Sequence, residues 1–275
     1  MREFHSKNFD IPFQAITDKM EDFRAERITA FLNLMDTIVK NKFEELKNTI
    51  SRKRSEMDKY FEMFPDTSGL KLKFKQLREN ASLKELKNWV QQNMHPGDID
   101  VNIMTKLDKE NFSHNEKLPV EFNDAHAALR GFANSNLQSS IILSAGMNPR
   151  LYSYFEKWDD FYPDSAGFIK KKVIIKVSDY RSALVQGKFL ANKGIWVSEF
   201  RIESGLNCGG HAFATQGHLM GPLLEEFKTN RQLLSESMFE VLSKNLKLNN
   251  RVCSNEATEK KINAPGGEGT AEGTE

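Results

Sequence analysis

The chain of 275 residues holds only two cysteines, Cys208 and Cys253. Two thiols cannot supply a disulfide framework, so a reducing compartment is the expected setting. Charge of either sign is hardly in excess: the formal net charge is +1, so no overall field draws the chain to nucleic acid or to an anionic membrane. No apolar run approaches the roughly 20 residues that span a bilayer. The amino terminus, MREFHSKNFD, lacks the apolar core of a signal peptide. These absences predict a soluble cytoplasmic protein with no nucleic-acid and no membrane partner. Glycine and proline are missing between Pro12 and Pro65, so nothing in that stretch interrupts a long helix.

What is present falls into three textures. From Phe13 to Phe64, apolar residues such as Ile16, Met20, Phe23, Ile28, Phe31, Met35 and Ile38 recur at three- and four-residue steps. Such a stripe of Met and Phe is core or partner surface rather than a cofactor box. The short basic runs SRKR (51–54) and KLKFK (71–75) are flanked by acids and read as solvated helix faces. A further helix over 83–92 is stopped by Pro96 and Gly97. Residues 1–97 thus read as a helical amino-terminal region.

From Asp98 the pattern changes to short β-rich runs alternating with amphipathic segments. VNIMTK (101–106), SSIILSAG (139–146), KKVIIKVSD (171–179) and IWVSEFRIESG (195–205) are strand candidates. Helices are predicted over 123–135, 148–158 and 180–194, with Gly194 at a carboxyl cap, and a long one begins near Gly221. Strand–helix alternation at this spacing predicts an α/β fold with parallel strands and right-handed crossovers over 98–248. Residues 249–275 are polar, end in APGGEGTAEGTE and read as a disordered tail.

In parallel α/β folds, functional residues gather at the carboxyl ends of strands. Here those exits carry Lys106 and Asp108, then Gly146 and Asn148, then Lys176, Ser178 and Asp179. The fourth exit, RIESGLNCGGH, carries Glu203, Gly209, Gly210 and His211. Lysines, carboxylates and a histidine beside bare backbone amides suit an anionic, aromatic or phosphorylated small molecule. Each has a plainer role available. His211 can be a turn residue bonded to backbone, and Lys106 and Lys176 can be solvated strand ends. Glu203 lies in an apolar run and must be paired or functional. Cys208 reads as a packing residue, because nothing near it calls for a thiolate.

The order KVIIKVSD, YRSALVQGKFLANKG, IWVSEFRIESG and NCGGH resembles the FMN-dependent TIM-barrel oxidoreductases, namely the nitronate monooxygenase-like proteins and the FMN-binding domain of glutamate synthase. The resemblance covers about residues 98–230. It implies a partial (β/α) TIM-barrel-like parallel sheet behind the long-helix amino-terminal region. It further implies that Gly209 and Gly210 contact flavin, that His211 is the general base, and that Lys176 stabilises the reduced ring. Glu203 is grouped with these catalytic candidates, and Lys106 and Gly146 with the cofactor contacts. The terminal GGEGTAEG is similar to the glycine-rich turn that holds the FMN phosphate, which would make Gly266 and Gly267 contacts, with Glu268 a departure from that pattern. A full barrel needs eight strands, and four or five are legible, so a homo-oligomer or a partner chain completing the barrel is expected. Two other readings stay open: a flavin-free lyase with Lys106 or Lys176 as a Schiff-base amine, and a non-catalytic barrel segment acting as an assembly module.

Overall fold

Alternation of strand and helix signals after Asp98 gives a mixed α/β structure. The computed structural model describes residues 1–51, 54–105, 108–144, 146–203, 220–251 and 261–263. The chain divides into two compact units, one of residues 1–14 and 33–98, the other of 15–32 and 99–275. Among the described residues, no helix is long and apolar enough to cross a membrane.

The first unit is helical. It holds α1 (Arg2–Asn8), most of α2 (Phe23–Asn48), α3 (Glu56–Glu62), α4 (Gly69–Asn80) and α5 (Leu83–Asn93). Serines set the starts of three of these. Ser55 and Ser82 form capping boxes with Asp58 and Glu85, and Ser68 accepts from the Lys71 amide. An aromatic core closes the unit, with the Phe61 and Phe74 rings stacked 3.8 Å apart. Buried Lys71 donates to the carbonyls of Glu62 (3.2 Å) and Phe64 (2.7 Å), using a cation to satisfy the carboxyl end of α3. This explains why part of KLKFK is not solvated: Lys71 is 6% exposed.

The second unit is built on a sheet. Its elements are β1 (Val101–Ile103), β2 (Phe112–Ser113), β3 (Glu116–Lys117), α6 (Asp124–Ala133), β4 (Ser140–Leu143) and α7 (Pro149–Tyr154), followed by β5 (Lys172–Val177), α8 (Tyr180–Asn192), β6 (Val197–Ile202), α9 (Met220–Leu248) and β7 (Lys261–Asn263). Strands β2 and β3 form a small antiparallel hairpin, and the main sheet runs β1-β4-β5-β6-β7 with every pairing parallel. The spatial order ascends with the sequence, so every crossover steps the same way. Right-handed crossovers then put all the intervening helices on one face. In keeping with this, α6, α7, α8 and α9 each pack against the next. Strand β7 lies inside the stretch read from sequence as a tail. A parallel edge strand needs backbone hydrogen bonds more than apolar side chains, which is why KIN carried no strand signal.

Register separates the two faces. Ile103, Leu143, Ile175 and Phe200 lie side by side across β1, β4, β5 and β6, and all belong to the main core beneath the helices. Asn102, Ile142, Ile174 and Glu199 form the corresponding row on the opposite face. Gly131 lets the start of α2 close on the helix side: a Cβ there would stand 2.7 Å from the Ile28 Cβ.

One ion pair reveals how the sheet curves. Arg201 on β6 contacts Asp100, the residue before β1, at 3.0 Å. Three strand spacings separate β6 from β1, roughly 14 Å across a flat sheet. By register Asp100 also lies four residues lower, roughly 13 Å along the strands. The two side chains cannot bridge that diagonal on a flat surface. The sheet therefore coils, with tilted strands and the face opposite the helices concave. Among the described residues β1 and β7 each pair on one side only.

Candidate functional site at the carboxyl ends of the strands

The row of the concave face nearest the strand ends is polar except for Met104. Lys176 and Arg201 are register partners, and extending the ladder brings Ser144 and Met104 to the same level. Two bonds carry the ladder on: Ser144 N–H donates to the Ile103 carbonyl (3.1 Å) and Glu203 N–H to the Val177 carbonyl (2.9 Å). Two residues further along each chain lie Gly146, Ser178 and Glu203.

The exits of β1 and β4 are locked together. Thr105, 1% exposed, takes its amide to Ser144 Oγ at 2.8 Å, and its hydroxyl lies 3.1 Å from the carbonyl oxygens of both Ser144 and Gly146. Gly146 has φ 116°, a conformation that L side chains rarely adopt. Asn148 then donates to the Thr105 carbonyl (3.2 Å) while its Oδ1 accepts from the Leu151 amide (3.1 Å), capping α7. Asp179 caps α8 in the same manner, accepting from Ser182 at 2.7 Å. The carboxylate at that exit is thereby a helix cap.

Lys176 and Glu203 form an ion pair of 2.9 Å with side chains 20% and 15% exposed. This answers the sequence question about Glu203, a paired charge in an apolar run. Below them Arg201 binds Glu199 at 2.5 Å as well as Asp100. Burial works against the charged guanidinium, but the hydrogen bonds and charges of Glu199 and Asp100 outweigh it and raise its pKa. Ile142 and Ile174 are buried on the same face, and Met104, 60% exposed, supplies apolar surface at its edge.

Asp108 is turned to another task. Its Oδ1 accepts from the Ala125 amide at the start of α6 (2.9 Å), and its Oδ2 lies 2.7 Å from Nδ1 of His126. His126 is 1% exposed and lies against the Tyr154 ring, 5.0 Å between centroids. This pair has no strong signature in the sequence. The available signal was the position of His126 on the buried face of a helix whose start needs a carboxylate.

Of the residues singled out by sequence, Lys176 and Glu203 come together as an ion pair, and Gly146 lies at the exit of β4, held by Thr105. Lys106, Cys208, Gly209, Gly210, His211, Gly266 and Gly267 lie outside the described residues. Their attachment is given by the chain: 204–219 leaves the carboxyl end of β6, and 264–275 leaves that of β7, the neighbouring strand. Comparison with family models, with curated proteins and with solved structures finds no match.

Proposed function

We propose that the chain carries the flavin site of an FMN-dependent oxidoreductase of the (β/α) barrel type. The observation that carries the reading is convergence at one sheet edge. Lys176 and Glu203 pair at the carboxyl end of the sheet, Gly146 lies at the exit of β4, and the stretches that contain 208–211 and 266–269 follow the carboxyl ends of the adjacent parallel strands β6 and β7. The ascending parallel order and the coil marked by Arg201 and Asp100 agree with an arc of such a barrel.

The residues present fit the group. A flavin mononucleotide needs a cation or donor at its pyrimidine edge, an apolar bed for its ring and bare backbone at its phosphate. Lys176 with Ser144 and Ser178 would answer the first need and the exposed Met104 the second, while the third would fall to Gly266 and Gly267, outside the described residues. Bound there, the flavin would supply reversible transfer of an electron pair. Glu203 would orient Lys176, Gly209 and Gly210 would let backbone approach, and His211 would move a proton to or from a small-molecule substrate. Lys176 is engaged by the Glu203 carboxylate at 2.9 Å, whereas the lyase alternative needs an amine open to a carbonyl substrate.

A titration with FMN, followed by quenching of flavin fluorescence, tests this reading. Saturation at one flavin per chain is expected. Lys176→Met weakens binding roughly tenfold, equivalent to about 1.4 kcal/mol, and Gly210→Val removes it by placing a side chain where backbone must approach. Unsaturable quenching, or both variants binding like the parent, would count against the proposal.

A further inference from the structure

We infer that a cavity at the start of α2 binds an uncharged aromatic small molecule. The cavity lies wholly within the second unit and shares no wall residue with the strand-end site, so its occupant is independent of the flavin. Its volume of about 440 Å³ is that of a small-molecule pocket. The apolar walls are Met20, Phe23, Phe112, Leu118 and Phe122, and Ser113 adds a neutral hydroxyl. Phe112 is 61% exposed and Met20 42%. Apolar surface left in water beside a concavity is what an apolar ligand would cover.

The charges around the cavity select no ion. Asp22 holds Arg130 through both Nε and a terminal nitrogen, and Arg24 lies 3.5 Å from Asp124. Asp18, Lys19 and Glu21 line the cavity without an ion-pair partner among the described residues. Arg27 stands 4.8 Å from the Phe23 ring centre, also without a carboxylate partner among them. Two charges of each sign therefore remain, all four at exposed positions. The amino end of α2 adds roughly half a positive charge, and Glu26 in its first turn offsets it. An ionised ligand would give up its water to walls of no net sign, whereas an uncharged one surrenders little.

The rings favour an aromatic body. The guanidinium groups of Arg24 and Arg27 lie over Phe23, and that of Arg130 lies over Phe122. Phe112 has no cation or ring partner among the described residues, so its face is open to a ring packed edge-on or offset.

Both sides of the cavity are held in place. Arg27 Nε donates to the Ile16 carbonyl at 2.9 Å, and Asp22 is anchored by Arg130 while its carbonyl accepts from the Glu26 amide at 3.1 Å. On the other side the Leu118 amide donates to the Asn111 carbonyl (2.9 Å), closing the β2–β3 hairpin that carries Phe112. Buried Asn111 in turn donates to the Phe122 carbonyl (2.7 Å) and to Asp124 (2.9 Å). A ligand thus meets walls already in position.

The test titrates the full chain by calorimetry, without flavin, with three probes on one ring system: naphthylmethanol, naphthylmethylamine and naphthoate. Saturable binding of the alcohol is expected, with the amine and the acid each roughly tenfold weaker. Phe112→Ala weakens the alcohol roughly tenfold by removing the open ring. The double variant Asp18→Asn/Glu21→Gln leaves the alcohol unchanged and strengthens naphthoate about threefold, because only then do the walls carry a net sign. All three substitutions are at exposed positions, so folding is retained. Absence of alcohol binding at millimolar concentration, equal binding of either ion in the parent, or an unchanged affinity in Phe112→Ala would overturn the inference.

Discussion

Arg201→Met is expected to lower the stability of the sheet unit by about 3 kcal/mol, the lower end of the cost of breaking a buried ion pair from one side. The cause is the charge left behind. Glu199 keeps a side chain only 11% exposed, and its carboxylate would lose the guanidinium 2.5 Å away. Asp100 is 28% exposed and can be rehydrated in part, which keeps the effect from the upper end. Loss of the bridge also removes the strut between β6 and the start of β1. Urea denaturation gives the measurement: the midpoint falls with little change in slope. The double variant Glu199→Gln/Arg201→Met recovers most of the loss, because no buried charge then stands unpaired. A single variant as stable as the parent would mean that the contact between Arg201 and Asp100 does not hold the curvature.

Lys171→Met carries the second large effect, a loss of about 2–4 kcal/mol at neutral pH from leaving several buried acceptors unmet. Lys171 is fully buried and donates to the carbonyls of Phe132 (2.9 Å), Ser135 (2.8 Å) and Leu137 (3.1 Å). It closes the carboxyl end of α6 as Lys71 closes α3. Methionine fills the volume but offers no donor. The pH dependence has a definite sign. Burial lowers the Lys171 pKa from 10.5 to about 8, opposed by the charge of Asp160. Between about pH 8 and 10.5 the unfolded chain therefore holds the proton more firmly than the folded one. Unfolding free energy then rises with pH across that window, by roughly 3 kcal/mol from this group. The difference between parent and Lys171→Met in denaturation series at several pH values isolates the contribution, because the other lysines and tyrosines titrate in both proteins. A difference that stays flat from pH 8 to 10.5 would contradict it.

The sequence made the alternation of strand and helix visible because burial imposes a local period on side chains. VIIKV and the 180–194 helix with its closing Gly194 announce themselves within a dozen residues. Interactions across long separations had no such signature. Arg201 and Asp100 lie 101 residues apart, and nothing in either neighbourhood marks them as partners. His126 and Asp108 are hidden for a similar reason: the helix start supplies the need for a carboxylate, but not its address. Lys171 was legible only as part of a strand's polar edge, since a lysine paired with three carbonyls looks in sequence like any surface lysine. Strand β7 escaped because an added edge strand is specified by the backbone of β6 rather than by its own composition.

The candidate site divides along the same line. Strand ends are local features, so Gly146, Lys176 and Glu203 could be named, and the structure then pairs two of them, Lys176 and Glu203. That Glu203 pairs with Lys176, that Asp108 serves the start of α6, and that Asp179 caps α8 are matters of three-dimensional neighbourhood.

The central proposal, a flavin held at the carboxyl ends of these parallel strands, is tested most directly by loading the protein with FMN and passing it through gel filtration. Flavin absorbance is expected to travel with the protein peak, with its visible band altered from that of the free cofactor. A colourless protein peak, with all the FMN eluting later at its own position, would contradict it.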